Sequence, residues 1–219
     1  MEYFFTFEGI EGSGKTTQIE LAHAFLSDRG YKVRVTREPG GTALGERIRE
    51  ILLSDKSLVL EPVTELLLYE ASRAQVVSEV IRPALQEGSI VLCDRFTDAT
   101  MAYQGYGRGL DLELIRVLNG IATGGLYPEA TFLLDCPASV GLRRINERSA
   151  LSHGRGLDRL EQEGIEFHER VRQGYLDLAE QAKERIVVLD ARQDARAIHA
   201  QIKGYLLGKL EKPEGSGAF

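Results

Sequence analysis

The sequence predicts an α/β fold in which helices cover both faces of a five-stranded parallel sheet. Segments with a strand-like pattern alternate with helical segments of ten or more residues, an order typical of βαβ units. Two strand segments, Ile90–Asp94 and Thr131–Asp135, are nearly continuous apolar runs, as expected for strands buried on both faces. With 219 residues, 43% of them hydrophobic, the chain can bury one sizeable core between three layers.

The first two strands flank a helix. Tyr3–Glu8 is a short run rich in aromatic residues and is predicted to be the first strand. The helix that follows carries its apolar residues on one face and ends at Gly30. Lys32–Arg37 alternates Val33 and Val35 with polar residues, which predicts the second strand.

Two helices are predicted before the third strand. Apolar residues recur at helical spacing over Ala43–Leu53. The residues of this helix predicted to face the core are Leu44, Ile48, Ile51 and Leu52. Pro62 favours the first turn of a helix, and this helix is predicted to run toward Glu87 with a kink near Pro83.

After the third strand the alternation continues. Helices are predicted over Leu112–Ala122, Ala138–Glu147, Leu160–Ala182 and Ala195–Leu207, and strands over Thr131–Asp135 and Ile186–Asp190. The basic, glycine-containing stretch Arg148–Asp158 is expected to be a loop, and the tail Glu211–Phe219 is predicted to be disordered. Since the sequence shows no repeat and no interdomain linker, residues 1–210 are predicted to form one domain.

Composition excludes several classes of protein. A formal net charge of -6 argues against nucleic acid or an anionic membrane as a partner. The sequence has no apolar run of about 18 residues and no signal-peptide pattern, so a cytoplasmic protein is expected. Cys93 and Cys136 adjoin apolar runs and are expected to be buried and reduced. The four histidines lack ligand spacing, so a structural zinc site is not expected.

The first predicted strand leads directly into GIEGSGKT, residues 9–16, which has the spacing of a P-loop. Glycines allow several backbone N–H groups to point at one anion, and the N-terminus of the following helix adds positive potential. Lys15 supplies a cation for the outer phosphates, and the Thr16 hydroxyl can bind Mg²⁺. The motif in this context predicts a P-loop NTPase fold that binds a nucleotide.

A P-loop alone does not distinguish kinases, GTPases, motors and transporter ATPases. The base-reading GTPase motif NKxD is absent from the sequence. Arginines lie after the second strand (Arg37), inside the long helix (Arg73) and after the third strand (Arg95, beside Asp94). The carboxyl ends of parallel strands meet at one edge of the sheet, so these groups predict a second site for an anionic substrate.

Five segments together resemble the thymidylate kinase family in its bacterial form. They are FEGIEGSGKTTQ, TREPGGT, LLYEASRAQ, CDRFTDATMAYQGYGRG and LDRLEQE, and the similarity extends from Tyr3 to about Leu207. This resemblance implies transfer of the γ-phosphoryl group of ATP to dTMP, with Mg²⁺, by a protein that forms homodimers.

The resemblance also implies roles for residues on the donor side. ATP would be bound by Gly9, Glu11, Gly12, Ser13, Gly14, Lys15, Thr16 and Thr17. Arg143 or Arg144, together with the loop near Ala191 and Arg192, would contact the adenine. Mg²⁺ would be organised by Thr16 and Asp94.

On the acceptor side, the resemblance implies contacts to the phosphate, the sugar and the base of dTMP. Arg37 and Arg95 would clamp the phosphate. Glu11 would lie near the 3′-hydroxyl, and Tyr103 would pack against the deoxyribose. Base recognition is assigned to Tyr69, Arg73, Thr100 and Gln104.

The P-loop of this chain contains no arginine, so cationic help with transfer must come from elsewhere. The stretch 148–159 resembles the mobile lid of the bacterial branch. Its candidate arginines are Arg148, Arg155 and Arg159, of which Arg159 aligns most securely. Two alternatives remain at this point: a kinase for another nucleotide such as dUMP or an adenylate, and a P-loop switch that turns ATP over slowly.

Overall fold

The computed structural model describes residues 3–54, 58–151 and 158–211, and it confirms the α/β prediction. The sheet has five strands in the order β2-β3-β1-β4-β5, and every pairing is parallel. The strands are β1 Phe4–Glu8, β2 Val33–Arg37, β3 Ile90–Asp94, β4 Ala130–Asp135 and β5 Ile186–Asp190. Helical segments connect successive strands, as parallel pairing requires.

The helices are α1 Lys15–Ser27, α2 Ala43–Arg49, α3 Pro62–Val76, α4 Arg82–Gln86, α5 Thr97–Thr100, α6 Leu112–Thr123, α7 Ala138–Leu151, α8 Ile165–Gln181 and α9 Ala195–Leu210. Three π-helical turns, Glu50–Ser54, Val77–Ile81 and Met101–Gly107, extend or join them. The predicted kink near Pro83 takes the form of the π-helical turn Val77–Ile81, which interrupts the α-helix just before a residue without an N–H donor. None of the helices in the described part of the chain is long and apolar enough to cross a membrane.

The sheet separates two apolar clusters. Phe5 and Leu92 belong to the larger cluster, whereas their neighbours Phe4 and Val91 belong to the smaller one. Since successive side chains of a strand point to opposite faces, the two clusters lie on opposite faces of the sheet. Helices therefore cover both faces, as predicted. Cys93 and Cys136 are both buried and form no disulfide.

One prediction about the core is wrong for two residues. Ile48 and Leu52 are buried as predicted, but Leu44 is 48% exposed and Ile51 is 37% exposed. An apolar repeat shows that a helix has an apolar stripe, but only the packing of neighbouring helices decides how much of that stripe is covered. The packing of α2 against α3 covers only part of it.

The register of the three neighbouring strands positions the site. Asp94, the last residue of β3, lies beside Phe7 in β1 and beside Arg37 in β2. The loops after these three strands therefore begin next to one another. They place Gly9, Glu38 and Arg95 at one edge of the sheet.

Candidate active site

The loop between β1 and α1 has the conformation that its glycines permit. Gly9, Gly12 and Gly14 have φ values of 131°, 72° and 98°, which side chains disfavour. At Gly12 a Cβ atom would also collide with the backbone of Gly141 at the start of α7. The chain therefore needs glycine at this position for both conformation and close packing.

Lys15, the first residue of α1, is buried beneath this loop. Its ammonium group donates to the carbonyl oxygens of Gly9 and Ile10, each at 3.0 Å. Burial and the neighbouring positive charge of Arg95 together lower the pKa of Lys15 to about 8, although the negative charge of Asp94 opposes the shift. A lysine in this environment favours an anionic ligand, because phosphate oxygens would stabilise its charge.

The loop opens into a cavity of about 350 Å³ that extends to the carboxyl ends of β2 and β3. Most predicted site residues line it: Glu11, Gly12, Gly14, Lys15, Thr16, Thr17, Arg37, Tyr69, Arg73, Asp94, Arg95, Thr100, Tyr103, Gln104 and Arg148. Their positions bring the predicted donor and acceptor sides into one space. Gly9 and Ser13 belong to the loop but are not part of the cavity wall.

Arg95 lies between the two sides and is held from several directions. Its φ of 70° is the one positive value among the non-glycine residues that the structure describes. One terminal nitrogen donates to Gly9 O at 3.0 Å and to the Tyr175 hydroxyl at 3.1 Å. The other donates to Glu11 at 2.8 Å and to the Tyr103 hydroxyl at 3.1 Å. Both Nη groups are thus engaged within the protein.

Glu11 is ionised although it is largely buried. Burial would raise its pKa, but Arg95, with contributions from His168, Lys15 and Tyr103, holds the pKa of this carboxyl well below its usual range. The Tyr103 hydroxyl donates to Glu11 at 2.6 Å, and His168 Nδ1 lies 3.4 Å from the same oxygen. The cavity therefore contains a fixed negative charge beside its cations.

Glu8, the last residue of β1, is fully buried behind the loop. Its two oxygens accept from the Phe96 N–H and from the Tyr175 hydroxyl, each at 2.7 Å. Burial raises the pKa of Glu8 to about 8, and Asp98 adds to the rise while Arg95 opposes it. Neither Glu8 nor Tyr175 was a predicted site residue.

Arg73 on α3 is 1% exposed and saturated with protein acceptors. It donates to the carboxylates of Glu38 at 2.7 Å and Glu70 at 2.9 Å. It also donates to the Asn119 side chain at 2.6 Å and to Phe96 O at 3.0 Å. This network orders the acceptor wall, and the predicted donation from Arg73 to a base carbonyl stays a prediction.

The other predicted base-recognition residues lie on the same wall. Tyr69 lines the cavity, and burial raises the pKa of its phenol. Thr100 is buried, and Gln104 donates to the carboxylate of Glu65 at 2.8 Å. These positions are compatible with contacts to a flat, polar-edged ligand.

The sequence-based assignment missed one arginine that lines the cavity and left a second one undecided. Arg49, on the inner side of α2, donates to Pro39 O at 2.9 Å and lines the cavity near Arg37. The sequence contained a signal for Arg49, because the helical repeat that carries it begins directly after REPGGT, the segment predicted to contact the acceptor. Arg37 itself is half exposed and pairs with Glu46 at 2.8 Å.

The second difference lies on α7. Arg144 lines the cavity and donates to Gly12 O at 3.2 Å and to Ala191 O at 3.0 Å. Arg143 points outward, 68% exposed, with Glu147 at 3.8 Å. The two residues are adjacent in sequence, and the rotation of the helix decides which one reaches the loop.

The predicted lid arginines are in different environments. Arg148 lines the cavity and pairs with Glu161 at 2.8 Å. Arg159 donates to Leu52 O at 2.8 Å and pairs with the buried carboxylate of Glu65 at 2.5 Å. Arg155 lies outside the described residues.

Asp94 and Thr16 are arranged in a way that fits a magnesium ion. Both line the cavity, and Asp94 Oδ1 is buried without a hydrogen-bond partner among the described residues. The described part of the chain contains no group of three or more His, Cys, Asp or Glu that could hold a metal on its own. Mg²⁺ commonly binds through one or two protein ligands, substrate phosphates and water. Thr16 and Asp94 are sufficient as the protein ligands of such a site.

Comparisons with known proteins agree with this geometry. A family model described as thymidylate kinase matches residues 7–202. The chain is 52% identical over 211 residues to the thymidylate kinase of Geotalea daltonii, covering 96% of this chain and 99% of that protein. It is 50% identical to that of Geobacter sulfurreducens, covering 97% and 100%. The crystal structure of thymidylate kinase from Ehrlichia chaffeensis matches with a TM-score of 0.76 at 36% identity, covering 94% and 98%.

Proposed function

The chain belongs to the thymidylate kinase family, and we propose how its residues divide the work of phosphoryl transfer from ATP to dTMP. It is a nucleoside monophosphate kinase, a phosphotransferase with a P-loop. The observation that carries the proposal is the continuity of the cavity: the P-loop and the arginine-lined wall open into one space of about 350 Å³. A donor phosphate and an acceptor phosphate can therefore meet there without crossing solvent.

On the donor side, ATP phosphates bind to the backbone of the loop Gly12–Gly14 and to Lys15. Thr16 and Thr17 expose hydroxyl groups at the start of α1, where the helix N-terminus favours negative charge. Arg144, which bridges the loop and Ala191, lies where the adenosine end of the ligand would rest. Arg143 keeps its predicted adenine role only if α7 rotates or the side chain swings inward.

On the acceptor side, the phosphate of dTMP binds among Arg37, Arg49 and Arg95. Arg37 and Arg49 lie at the open part of the wall and can turn their planar donors to a phosphate. Arg95 has both Nη groups engaged, so its contribution comes through its Nε–H and its fixed charge.

Sugar and base occupy the inner end of the cavity. Glu11 and Tyr103 lie together at hydrogen-bond distance and form the surface against which the deoxyribose packs. Tyr69 stacks on the thymine, and Arg73, Thr100 and Gln104 form its polar edge. Recognition of dTMP rather than another nucleotide depends on this wall.

Mg²⁺ is held by Thr16 and Asp94 together with the phosphates. When bound, it supplies positive charge to the phosphate oxygens. Asp94 also lies beside Lys15, so this carboxylate orders the cation of the loop as well. The carboxylate of Asp94 thus helps to position both the metal ion and the Lys15 ammonium group.

Among the described lid residues, Arg148 is the arginine placed to assist transfer. It is 68% exposed and borders the cavity, so its guanidinium group can turn toward bound phosphates. Arg155 remains a candidate that lies outside the described residues. Arg159 keeps its predicted catalytic role only if it leaves Glu65, and its contacts favour a role in anchoring the lid to α3.

A homodimer would cover an apolar surface formed by three helices. Helix α3 packs against both α2 and α6, and all three carry large exposed apolar side chains. The exposed residues are Leu44, Ile51, Val63, Leu67, Leu114, Val117 and Ile121. Sedimentation of wild type and of Ile121→Glu tests this: the variant should be monomeric, and an unchanged sedimentation coefficient would remove α6 from the interface.

Residues 1–210 act as one kinase domain in the cytoplasm, with small nucleotides as partners. The net charge of -6 supports the absence of a nucleic-acid or membrane partner, since the chain as a whole repels a polyanion.

An acceptor panel tests the proposal. ADP release from MgATP is measured with dTMP, dUMP and AMP at matched concentrations, and Tyr69→Ala serves as the comparison variant. The proposal expects strong preference for dTMP in wild type and a reduced preference in the variant. ADP release that is independent of acceptor would indicate a slow ATP-binding switch, and a preference for another nucleotide would overturn the substrate.

A further inference from the structure

Two tyrosine–glutamate pairs flank Arg95, and only one of them belongs to the site described above. Tyr103 donates to Glu11 at 2.6 Å on the cavity side. Tyr175 donates to Glu8 at 2.7 Å on the buried side, behind the P-loop. Arg95 donates to both hydroxyl oxygens, each at 3.1 Å.

The hydrogen-bond inventory settles the direction of these contacts. A guanidinium group has five N–H donors and no acceptor, so each tyrosine oxygen must accept from Arg95. The single proton of each tyrosine is then available for its carboxylate. On the buried side, Arg95 donates to the Tyr175 oxygen whether Glu8 is ionised or protonated, because a guanidinium group can only donate.

The backbone of Arg95 needs such support. A left-handed backbone conformation is strained for a residue other than glycine. The Arg95 N–H donates to Phe7 O at 3.0 Å, and its carbonyl accepts from the Cys93 thiol at 3.0 Å. The main chain of Arg95 is therefore attached to the strands β1 and β3, which fixes the point from which its side chain extends.

Tyr175 reaches this place because α8 packs closely on the π-helical turn Met101–Gly107. The residue before it, Gly174, faces Tyr106, and a Cβ atom there would overlap the Tyr106 ring at 2.6 Å. Tyr175 and Glu8 are buried and, unlike Tyr103, do not line the cavity, so neither contacts a nucleotide bound there. Any effect of either residue on the reaction must pass through another group.

We propose that Tyr175, itself held by Glu8, is a positioning residue for Arg95 in phosphoryl transfer. The inference rests on the proposed role of Arg95 at the acceptor phosphate. With the Tyr175 oxygen as a fixed acceptor on one Nη, the guanidinium plane is set and its charge is held at the cavity wall. Without it, one donor of Arg95 loses its partner and the side chain can turn.

Steady-state kinetics of the full-length kinase test the proposal with Tyr175→Phe, which removes a single oxygen. A hydrogen bond to a charged group predicts a loss of about tenfold in kcat/KM for dTMP. The KM for ATP should change by less than about twofold, because Lys15 and the loop backbone hold the ATP phosphates. Tyr3→Phe, which removes a hydroxyl that contacts Lys209 O far from the cavity, is the matched control and should change neither constant.

A double-mutant cycle with Arg95→Lys separates positioning from a structural role. In the Arg95→Lys background, Tyr175→Phe should cost less than about twofold, since the contact it removes is already lost. An equal loss of kcat/KM for dTMP in both backgrounds, or a rise in the KM for ATP as large as the loss in kcat/KM for dTMP, would overturn the proposal. If Arg95→Lys alone leaves kcat/KM for dTMP unchanged, the proposed role of Arg95 fails instead.

Glu8→Gln provides a second variant if Tyr175→Phe does not fold. Its amide oxygen can still accept from one of the two donors that Glu8 serves, so the expected loss is smaller, about threefold, and again specific to dTMP. A Glu8→Gln enzyme with unaltered dTMP kinetics would overturn the part of the proposal that concerns Glu8.

Discussion

The donor and acceptor halves of the cavity are built in different ways. The phosphate-binding part of the donor half comes from one continuous segment, residues 9–17, and presents mainly backbone N–H groups and one buried lysine. The acceptor half is assembled from side chains on β2, α3, β3 and the turn Met101–Gly107, with support from α8. Two of its cations are already paired with largely buried carboxylates, Arg73 with Glu38 and Arg95 with Glu11.

This difference predicts different responses to substitution. A cradle made of backbone groups tolerates changes except at its glycines and its lysine. A wall made of buried ion pairs loses stability when one partner is removed, because the other charge remains desolvated. Four experiments test this distinction, beginning with the one expected to have the largest effect.

Arg73→Met should destabilise the protein by about 3–5 kcal/mol, because Glu38 and Glu70 lose their buried counter-charge. The measurement is urea unfolding followed by circular dichroism. Arg37→Met removes an arginine whose ion pair is half exposed and should cost no more than about 1 kcal/mol. Equal effects of the two substitutions would show that the acceptor wall does not depend on buried pairing.

Lys15→Ala should lower kcat by roughly 10²–10³-fold, because a preorganised cation at the transferred phosphate is lost. Affinity for dTMP should be nearly unchanged, since the acceptor wall keeps its own cations. Steady-state rates and calorimetric titration with dTMP give the two quantities. A parallel loss of dTMP affinity would mean that the halves are not independent.

Arg148→Ala should reduce kcat by about 10- to 100-fold with little change in stability, because the side chain is exposed and borders the cavity. Arg159→Ala should lower the melting temperature, since it leaves the Glu65 carboxylate with one ion-pair partner fewer. Its effect on kcat should be smaller than that of Arg148→Ala. Lys183→Ala removes a cation as exposed as Arg148, here paired with Glu180, and as the control it should change neither. A larger kcat loss for Arg159→Ala than for Arg148→Ala would restore Arg159 as the catalytic lid arginine.

The smallest expected effect concerns pH. Burial lowers the pKa of Lys15 to about 8, and bound phosphates favour its charged form and so raise that pKa. ATP binding should therefore take up protons near pH 8.5 and close to none near pH 7, and affinity should fall by up to about tenfold per pH unit above 8. Calorimetry in two buffers of different ionisation enthalpy measures the uptake, and Glu8→Gln removes the other buried group with a pKa of about 8. Uptake that is the same at both pH values would contradict the assignment.

Local patterns were sufficient for much of the fold. The predicted strands Ile90–Asp94 and Ile186–Asp190 match the structure, and the other three differ by one residue at one end. The short helix Thr97–Thr100 and the π-helical turn after it were not predicted, because the segment carries polar residues that serve the site rather than a regular apolar repeat.

The candidate site divides in the same way. Lys15 and Thr16 could be assigned from sequence because the loop, its strand and its helix are contiguous. Arg49 and Tyr175 could not be assigned, and the choice between Arg143 and Arg144 stayed open, because each depends on which face of a helix turns toward the cavity. For Arg143 and Arg144 a rotation of about 100° per residue decides the matter.

The sequence by itself determined the parallel α/β sheet, the P-loop and the family resemblance, since each of these depends on short-range order along the chain. Only the tertiary structure decided that Arg73 is buried among carboxylates, that Leu44 and Ile51 are exposed and that Arg95 stands between two tyrosine–glutamate pairs. Those features depend on contacts between segments far apart in sequence. Burial and pairing of a side chain are properties of its neighbours in space, and the local pattern does not contain them.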